Sequence, residues 1–246
     1  MNADSLLQLQ GVHTHIGAYH ILHGVDFAVA EGGTTVLLGR NGAGKTTCLR
    51  TIMGLWHASA GRIAFGGADI AARPTSEIAQ LGIAYVPENM GIFSDLTVRE
   101  NMLLAARAAR SLADLDTQRL DWIFGFFPAL KKFWLHPAGK LSGGQKQMLA
   151  IARAIIEPRR LLLVDEPTKG LAPAIISNLA DAFRELKALK TTMLLVEQNF
   201  RFASQLGEHV AVMDDGRIVH RGTMAELRDD PDLQQRLLGL AVAAAH

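Results

Sequence analysis

A single cysteine, Cys48, is present among 246 residues, which excludes an internal disulfide and fits a reducing compartment. No charge of either sign predominates: 25 Lys and Arg stand against 24 Asp and Glu, so no polyanion-binding surface is expected and nucleic acid is not the expected partner. No apolar run approaches the roughly 20 residues that span a bilayer. Met1–Leu7 lacks a basic start followed by an apolar core, which argues against a signal peptide. Internal repeats are absent, and the only low-complexity stretch is the short alanine-rich end Ala241–Ala245, which reads as frayed. Against these absences, 49% of the residues are apolar, enough for a large core and compatible with a docking face for a partner.

What is present is organised around Gly39-Arg40-Asn41-Gly42-Ala43-Gly44-Lys45-Thr46-Thr47, which matches G-x-x-x-x-G-K-[ST] at every fixed position. An apolar run, Thr34–Leu38, precedes it as a buried strand, and Thr46–Met53 follows as the start of a helix. Glycines let successive N–H groups turn inward on a phosphate, and the helix N-terminus adds its positive end. In such a loop Lys45 reaches the β- and γ-phosphates and the Thr46 hydroxyl is offered to Mg²⁺. A glycine-rich turn with a chance lysine is the competing reading, and the flanking strand and helix disfavour it. Cys48, on the helix just beyond, reads as a packed core thiol.

Taken in order, Leu7 and Leu9 alternate with Gln8 and Gln10, and Val25, Phe27 and Val29 alternate with Asp26 and Ala28. Both segments read as half-buried strands of an antiparallel layer, with Tyr19 in a loop between them. Arg62–Phe65 is a further short strand, and Ile83–Val86 another, stopping at Pro87 before Glu88. From Thr97 to about Trp134 the pattern is helical and opens on Thr97-x-x-Glu100, a capping box. Leu141-Ser142-Gly143-Gly144-Gln145 leads into a helix carrying Met148, Ile151 and Ile155 on one stripe. The continuous apolar run Leu161–Val164 suits a central parallel strand covered on both faces. Ile176, Leu179, Phe183 and Leu186 recur at helical spacing, Thr191–Val196 is a further strand, and Asp214-Asp215-Gly216 joins a hairpin. The expected fold is α/β, a P-loop core with a mostly parallel sheet and an N-terminal antiparallel layer. Residues 1–88 and 159–246 form the core, and residues 89–158 an inserted helical subdomain.

Two further motifs narrow the chemistry. Asp165, closing the apolar strand, supplies the magnesium-side carboxylate that a phosphate loop requires. Glu166, the next residue, is suited to orient an attacking water. Ser142 with Gly143 and Gly144 ahead of a helix makes a second anion-binding N-terminus. One triphosphate does not need two such sites in one chain, so the second is expected to cover the γ-phosphate bound by a different subunit.

With these residues in view, the chain resembles the nucleotide-binding subunits of ATP-binding-cassette (ABC) transporters over nearly its whole length. Gly39–Thr46 is similar to the Walker A loop, with Asn41, Gly42, Ala43, Gly44, Lys45, Thr46 and Thr47 at its ATP-binding positions. LSGGQ at Leu141–Gln145 resembles the family signature, and LLLVDE at Leu161–Glu166 the Walker B strand. The resemblance implies ATP and Mg²⁺ as cofactors and adenine stacked on Tyr19. It also implies a head-to-tail dimer in which Ser142, Gly143, Gly144 and Gln145 contact ATP held by the partner cassette. The family has glutamine where Glu88 stands, histidine where Gln198 stands and aspartate where Ala172 stands. By the same resemblance Glu88 is expected near Mg²⁺, and Gln198 at the γ-phosphate, where its amide donates but cannot titrate.

The strings YVPENMGIFSDLTVRENM, DEPTKGLAP and LLVEQN resemble one branch, the ATPase subunits of importers for branched-chain and other hydrophobic amino acids, amides or urea. That branch implies a homodimer or heterodimer of cassettes on the cytoplasmic face of a bacterial inner membrane. It also implies membrane permease subunits above them and a periplasmic substrate-binding protein. An ABC ATPase of another transporter class, such as an exporter, and a soluble ABC assembly ATPase are the competing readings. A GTPase or small-molecule kinase would leave LSGGQ unexplained, and no N-K-x-D string for guanine is present.

Overall fold

The computed structural model describes residues 5–106 and 114–239. Met1–Asp4, residues 107–113 of the expected helical subdomain, and the alanine-rich end lie outside the described residues. Strands β1 (Ser5–Ile16) and β2 (Tyr19–Ala30) form a hairpin, and β3 (Thr34–Leu38) leads into helix α1 (Lys45–Ile52). Strands β4 (Ala58–Phe65) and β5 (Ala68–Asp69) return beside β1, followed by α2 (Thr75–Gln80) and β6 (Ile83–Val86). Helices α3 (Val98–Ala105), α4 (Thr117–Phe126), α5 (Pro128–Lys132) and α6 (Gly143–Ile155) come next. The chain then alternates β7 (Leu161–Asp165), α7 (Pro173–Ala188), β8 (Thr192–Glu197) and α8 (Phe200–Leu206). It closes with the hairpin β9 (His209–Asp214) and β10 (Arg217–Thr223), then α9 (Met224–Asp229) and α10 (Pro231–Leu238).

Two sheets result. The four-stranded antiparallel sheet runs β2-β1-β4-β5, and the six-stranded sheet runs β10-β9-β3-β8-β7-β6, parallel except at β10. The central strands are apolar throughout because both of their faces are covered. Val36 and Leu38, Leu162 and Val164, and Met193 and Leu195 point into a core shared with α6 and α7. Leu37, Leu161, Leu163, Leu194 and Val196 point the other way, into a core shared with the antiparallel sheet and α1. Period-2 alternation thus survives inside strands whose sequences show none.

The capping box expected at Thr97 forms. Thr97 Oγ1 accepts from Glu100 N at 3.2 Å while Glu100 Oε2 accepts from Thr97 N at 2.8 Å, fixing the start of α3. Two local expectations need correction. Tyr19 is not in a loop: it opens β2, paired with Ile16 across a turn of two residues, Gly17 and Ala18, and Gly17 takes φ +58°. The strand expected over Arg62–Phe65 begins at Ala58, because pairing with β1 continues through Ala60 and Ala58 although small residues give no strand signal.

Phe183 of α7 meets Phe202 of α8 edge-on, with ring centroids 6.1 Å apart and both residues buried. Phe183→Ala is expected to cost about 3–5 kcal/mol of stability, measured as a lowered urea midpoint with an unchanged slope.

Candidate active site

The phosphate loop leaves the C-terminal end of β3, where Glu197 also emerges from neighbouring β8, and Asp165 and Glu166 from β7 one strand further on. Ligand sites of open parallel sheets form at this edge. The loop is tightly seated: a Cβ placed on Gly39 would lie 2.3 Å from the Met213 carbonyl, so no larger residue fits there. Ala43 N donates to Arg40 O at 3.2 Å, and Cys48 N to Gly44 O at 2.9 Å, so α1 starts directly from the loop. Cys48 is fully buried beneath it, and burial pushes its thiol pKa up to about 12, as an inert core thiol should behave.

A cavity of about 310 Å³ opens over the loop, walled by Asn41, Gly42, Gly44, Lys45, Thr46 and Thr47 on one side. Ile21, Glu88, Glu166 and Lys169 close the other. Lys45 is 4% exposed and spends its three donors on Gly39 O at 2.9 Å, Arg40 O at 3.0 Å and Glu166 Oε1 at 3.2 Å. Glu166 holds φ at +45°, a left-handed conformation uncommon outside glycine, and its N–H donates to Val196 O at 2.9 Å. That backbone turn sends the chain away from β7 while the carboxylate meets Lys45. Beneath them Thr46 Oγ1 donates to Asp165 Oδ1 at 3.1 Å, and Tyr85 Oη to Asp165 Oδ2 at 3.1 Å. Burial holds the Asp165 pKa above the usual carboxylate range, opposed by those two hydrogen bonds and reinforced by Glu166 and Glu88.

The predicted residues divide into those that converge and those that do not. Asn41, Gly42, Gly44, Lys45, Thr46, Thr47, Glu88 and Glu166 share the cavity wall, and Gly39, Ala43 and Asp165 lie directly behind it. Glu88 is there, but its Oε1 pairs with Lys169 Nζ, which also lies 3.7 Å from Glu166 Oε2. Tyr19 is 75% exposed and is not among the lining residues; Ile21, further along the same strand, is. Gln198 is exposed, with its backbone N–H on Glu197 Oε2 at 3.0 Å. Ser142, Gly143, Gly144 and Gln145 begin α6 away from this cavity. Ser142 Oγ accepts from Gln145 N, and Gln145 Oε1 from Ser142 N, which leaves the Gly143 and Gly144 amides outside the capping box. Gly144 is pressed against Ile175, whose nearest carbon would stand 2.9 Å from an added Cβ.

Sequence reading missed three side chains. Tyr85 reads as an ordinary strand residue, and only the β6–β7 pairing reveals its reach to Asp165. Lys169 carries no motif of its own. Glu197 ends a buried strand just as Asp165 does, and that parallel was the available signal. It is 2% exposed and accepts from Thr168 N at 3.1 Å, Thr168 Oγ1 at 2.8 Å, and Gln198 and Asn199 N at 3.0 Å each. Burial raises its pKa against the pull of those bonds. One carboxylate therefore ties the segment after Glu166 to the segment after β8.

Loop, strand-end carboxylates and a separate glycine-led helix define a nucleotide-binding cassette of the P-loop class. The family model described as "ABC transporter" matches residues 22–169, and the chain belongs to that family. Its members bind ATP and hydrolyse it to power transport, paired with membrane components. The chain is 38% identical to the high-affinity branched-chain amino acid transport ATP-binding protein BraG of Pseudomonas aeruginosa, over 95% of this chain and 100% of that one. It is 36% identical to the probable branched-chain amino acid transport ATP-binding protein LivF of Archaeoglobus fulgidus, covering 90% and 93% of the two chains. A solved ATP-binding subunit of an ABC transporter superposes with a TM-score of 0.81 at 30% identity, covering 96% of this chain and 97% of that one. No helix among the described residues is long and apolar enough to cross a membrane.

Glu197→Gln replaces one acceptor oxygen by a donor facing N–H groups. It is expected to lower stability by about 1–3 kcal/mol in urea titration and to reduce ATP turnover, because Glu166 and Lys169, on either side of the tied Thr168, line the cavity. An unchanged midpoint would show that the four bonds contribute nothing.

Proposed function

We infer that this chain is the ATP-hydrolysing subunit of a bacterial importer for branched-chain or other hydrophobic amino acids. The observation that carries the catalytic part is the convergence of Lys45, Thr46, Asp165 and Glu166 on one cavity from which Ser142–Gln145 stand apart. The amino-acid cargo rests on the names of the relatives and on the branch strings in the sequence. In this reading the chain sits on the cytoplasmic face of the inner membrane under permease subunits, which a periplasmic binding protein supplies.

The γ-phosphate takes over donors of Lys45 now spent on Gly39 O, Arg40 O and Glu166. Displacing the Lys45–Glu166 pair frees the Glu166 carboxylate to accept a proton from water, as general-base assistance requires. Thr46 Oγ1 and Asp165 Oδ1, 3.1 Å apart, are the hard oxygen donors that would hold Mg²⁺. Bound there, Mg²⁺ would supply charge neutralisation on the phosphates. The raised pKa of Asp165 fits a carboxylate placed to share a cation's charge. Glu88 reaches this centre only by leaving Lys169, and Gln198 only by turning inward from solvent. Tyr19 stacks on adenine in this reading. The free amides of Gly143 and Gly144, with Ser142 and Gln145, complete the site of a second cassette.

Permease contact falls to the surface around Gly91–Phe93. Phe93 is 49% exposed, while buried Asn101 fixes its backbone by accepting from Phe93 N at 3.0 Å and donating to Phe93 O at 2.9 Å. Beside it lies a cavity of about 350 Å³ bordered by Pro87, Met90, Gly91 and Arg153. An exposed ring on a rigid loop suits docking of a helix end.

Glu166→Gln is expected to slow hydrolysis by about 10²–10⁴-fold while retaining ATP binding, and to copurify from membranes with a permease. Wild-type turnover in that variant would remove the base role, and copurification with soluble partners only would remove the transporter assignment. Phe93→Asp should abolish stimulation by the permease and spare basal hydrolysis; undiminished stimulation places the contact elsewhere.

A further inference from the structure

The β1–β2 hairpin carries His13, His15, His20 and His23, four of the nine histidines in the chain. Thr14 and Leu22 of the same strands are fully buried, whereas His15 and His20 are exposed and His13 and His23 half-buried. Cross-strand register sets His13 opposite His23 and His15 opposite His20. His20 is the hub. Its ring stacks on His15 with centroids 4.1 Å apart, lies 4.1 Å from His23 and 5.2 Å from His13, and its Nε2 is 3.0 Å from His13 Nδ1.

Four imidazoles this close resist being charged together. The 3.0 Å N···N contact needs one ring as donor and the other as acceptor, which two neutral rings provide. His23 is kept neutral further down in pH than usual, first by partial burial and then by His20 and Arg217, against the opposing pull of Asp215. Neutral imidazole nitrogens are the preferred ligands of borderline divalent ions. Two of them bound to one tetrahedral ion at about 2.0–2.1 Å stand about 3.3 Å apart. Exchanging the shared hydrogen for a metal therefore opens the His13–His20 contact by only a few tenths of an ångström. As the rings stand, no three His, Cys, Asp or Glu side chains among the described residues converge in ligand geometry. The third ligand must swing in, and surface rings reorient within nanoseconds. His23 is the ring placed to do so: it borders His20 and faces His13 in register, with its far edge against Gly216. His15 is held by Ser59 Oγ at 3.0 Å and stacks behind His20 as a support.

We propose that this hairpin face is a binding site for one borderline transition-metal ion, Zn²⁺, Ni²⁺ or Cu²⁺, with His13, His20 and His23 as ligands and water in the remaining position. The site is distinct from the oxygen-lined cavity over the phosphate loop.

The test is calorimetric titration of the full chain with Zn²⁺ in excess Mg²⁺, which masks the carboxylates of the nucleotide site, together with the EPR spectrum of the Cu²⁺-loaded chain. One ion per chain is expected, with several nitrogens coupled to Cu²⁺ and binding weakening as pH falls, because protons compete with the metal for the ring nitrogens. His13→Gln/His20→Gln should weaken Zn²⁺ at least about tenfold, while His57→Gln, outside the hairpin, should leave it unchanged. Thermal melts of the metal-free variants check that folding is intact. Equal affinity in the double variant and the wild type, or a Cu²⁺ spectrum with oxygen ligands only, overturns the proposal.

Discussion

The ammonium of Lys45, 4% exposed and held between two loop carbonyls and Glu166, is the charge on which the rest of the structure depends. A buried cation left without acceptors costs several kcal/mol, so the loop must curl to aim Gly39 O and Arg40 O inward and Glu166 must turn back from β7. The left-handed backbone at Glu166 is the strained conformation that allows this turn. From Glu166 the charges continue outward through Lys169 to Glu88, alternating in sign along the cavity rim. A phosphate entering that cavity meets donors already aligned, and it competes with carboxylates rather than with bulk water.

The two-faced sheet explains how these groups are held in place. β3 and β7 are sandwiched between two cores, one built on α6 and α7 and one on α1 and the antiparallel sheet. Their C-terminal ends therefore cannot shift independently. Glu197 adds a second tie between the segments following β7 and β8. The signature helix α6 packs into the same core as the sheet, but its N-terminus opens elsewhere, with Gly143 and Gly144 amides outside its own capping box. The cradle and the N-terminus of α6 share no lining residue, and the proposed site shared between subunits draws on that separation.

Most of this architecture was legible in the residues. Fixed spacings marked the phosphate loop, the signature and the Asp165 strand, because in each the backbone itself does the work and tolerates few substitutes. Leu161–Val164 was legible as a covered strand from its uninterrupted apolar run, and Ile83–Val86 as a strand stopped by Pro87. Ala58–Ala60 were not, since their strand state comes from pairing with β1 rather than from propensity. Tyr19 was misread as a loop residue because a two-residue turn at Gly17-Ala18 carries only one glycine as its signal. Tyr85, Lys169 and Ile21 reach the site by tertiary placement, which no local pattern encodes. Glu88 was read from the resemblance as a group near Mg²⁺, and its pairing with Lys169, 81 positions away in the chain, was not legible.

The central claim is that the cavity over the phosphate loop is half of a site that Ser142–Gln145 of another cassette completes. The natural background favours a direct measurement, because the only cysteine is buried with its thiol pKa pushed up to about 12 and should not react. In a Glu166→Gln, Ser142→Cys chain assembled with its transporter, the rate of modification by a thiol reagent is measured with and without ATP and Mg²⁺. The account predicts rapid labelling without nucleotide and strong protection with it, as the partner's ATP covers that position. Equal labelling rates under both conditions would contradict the shared site.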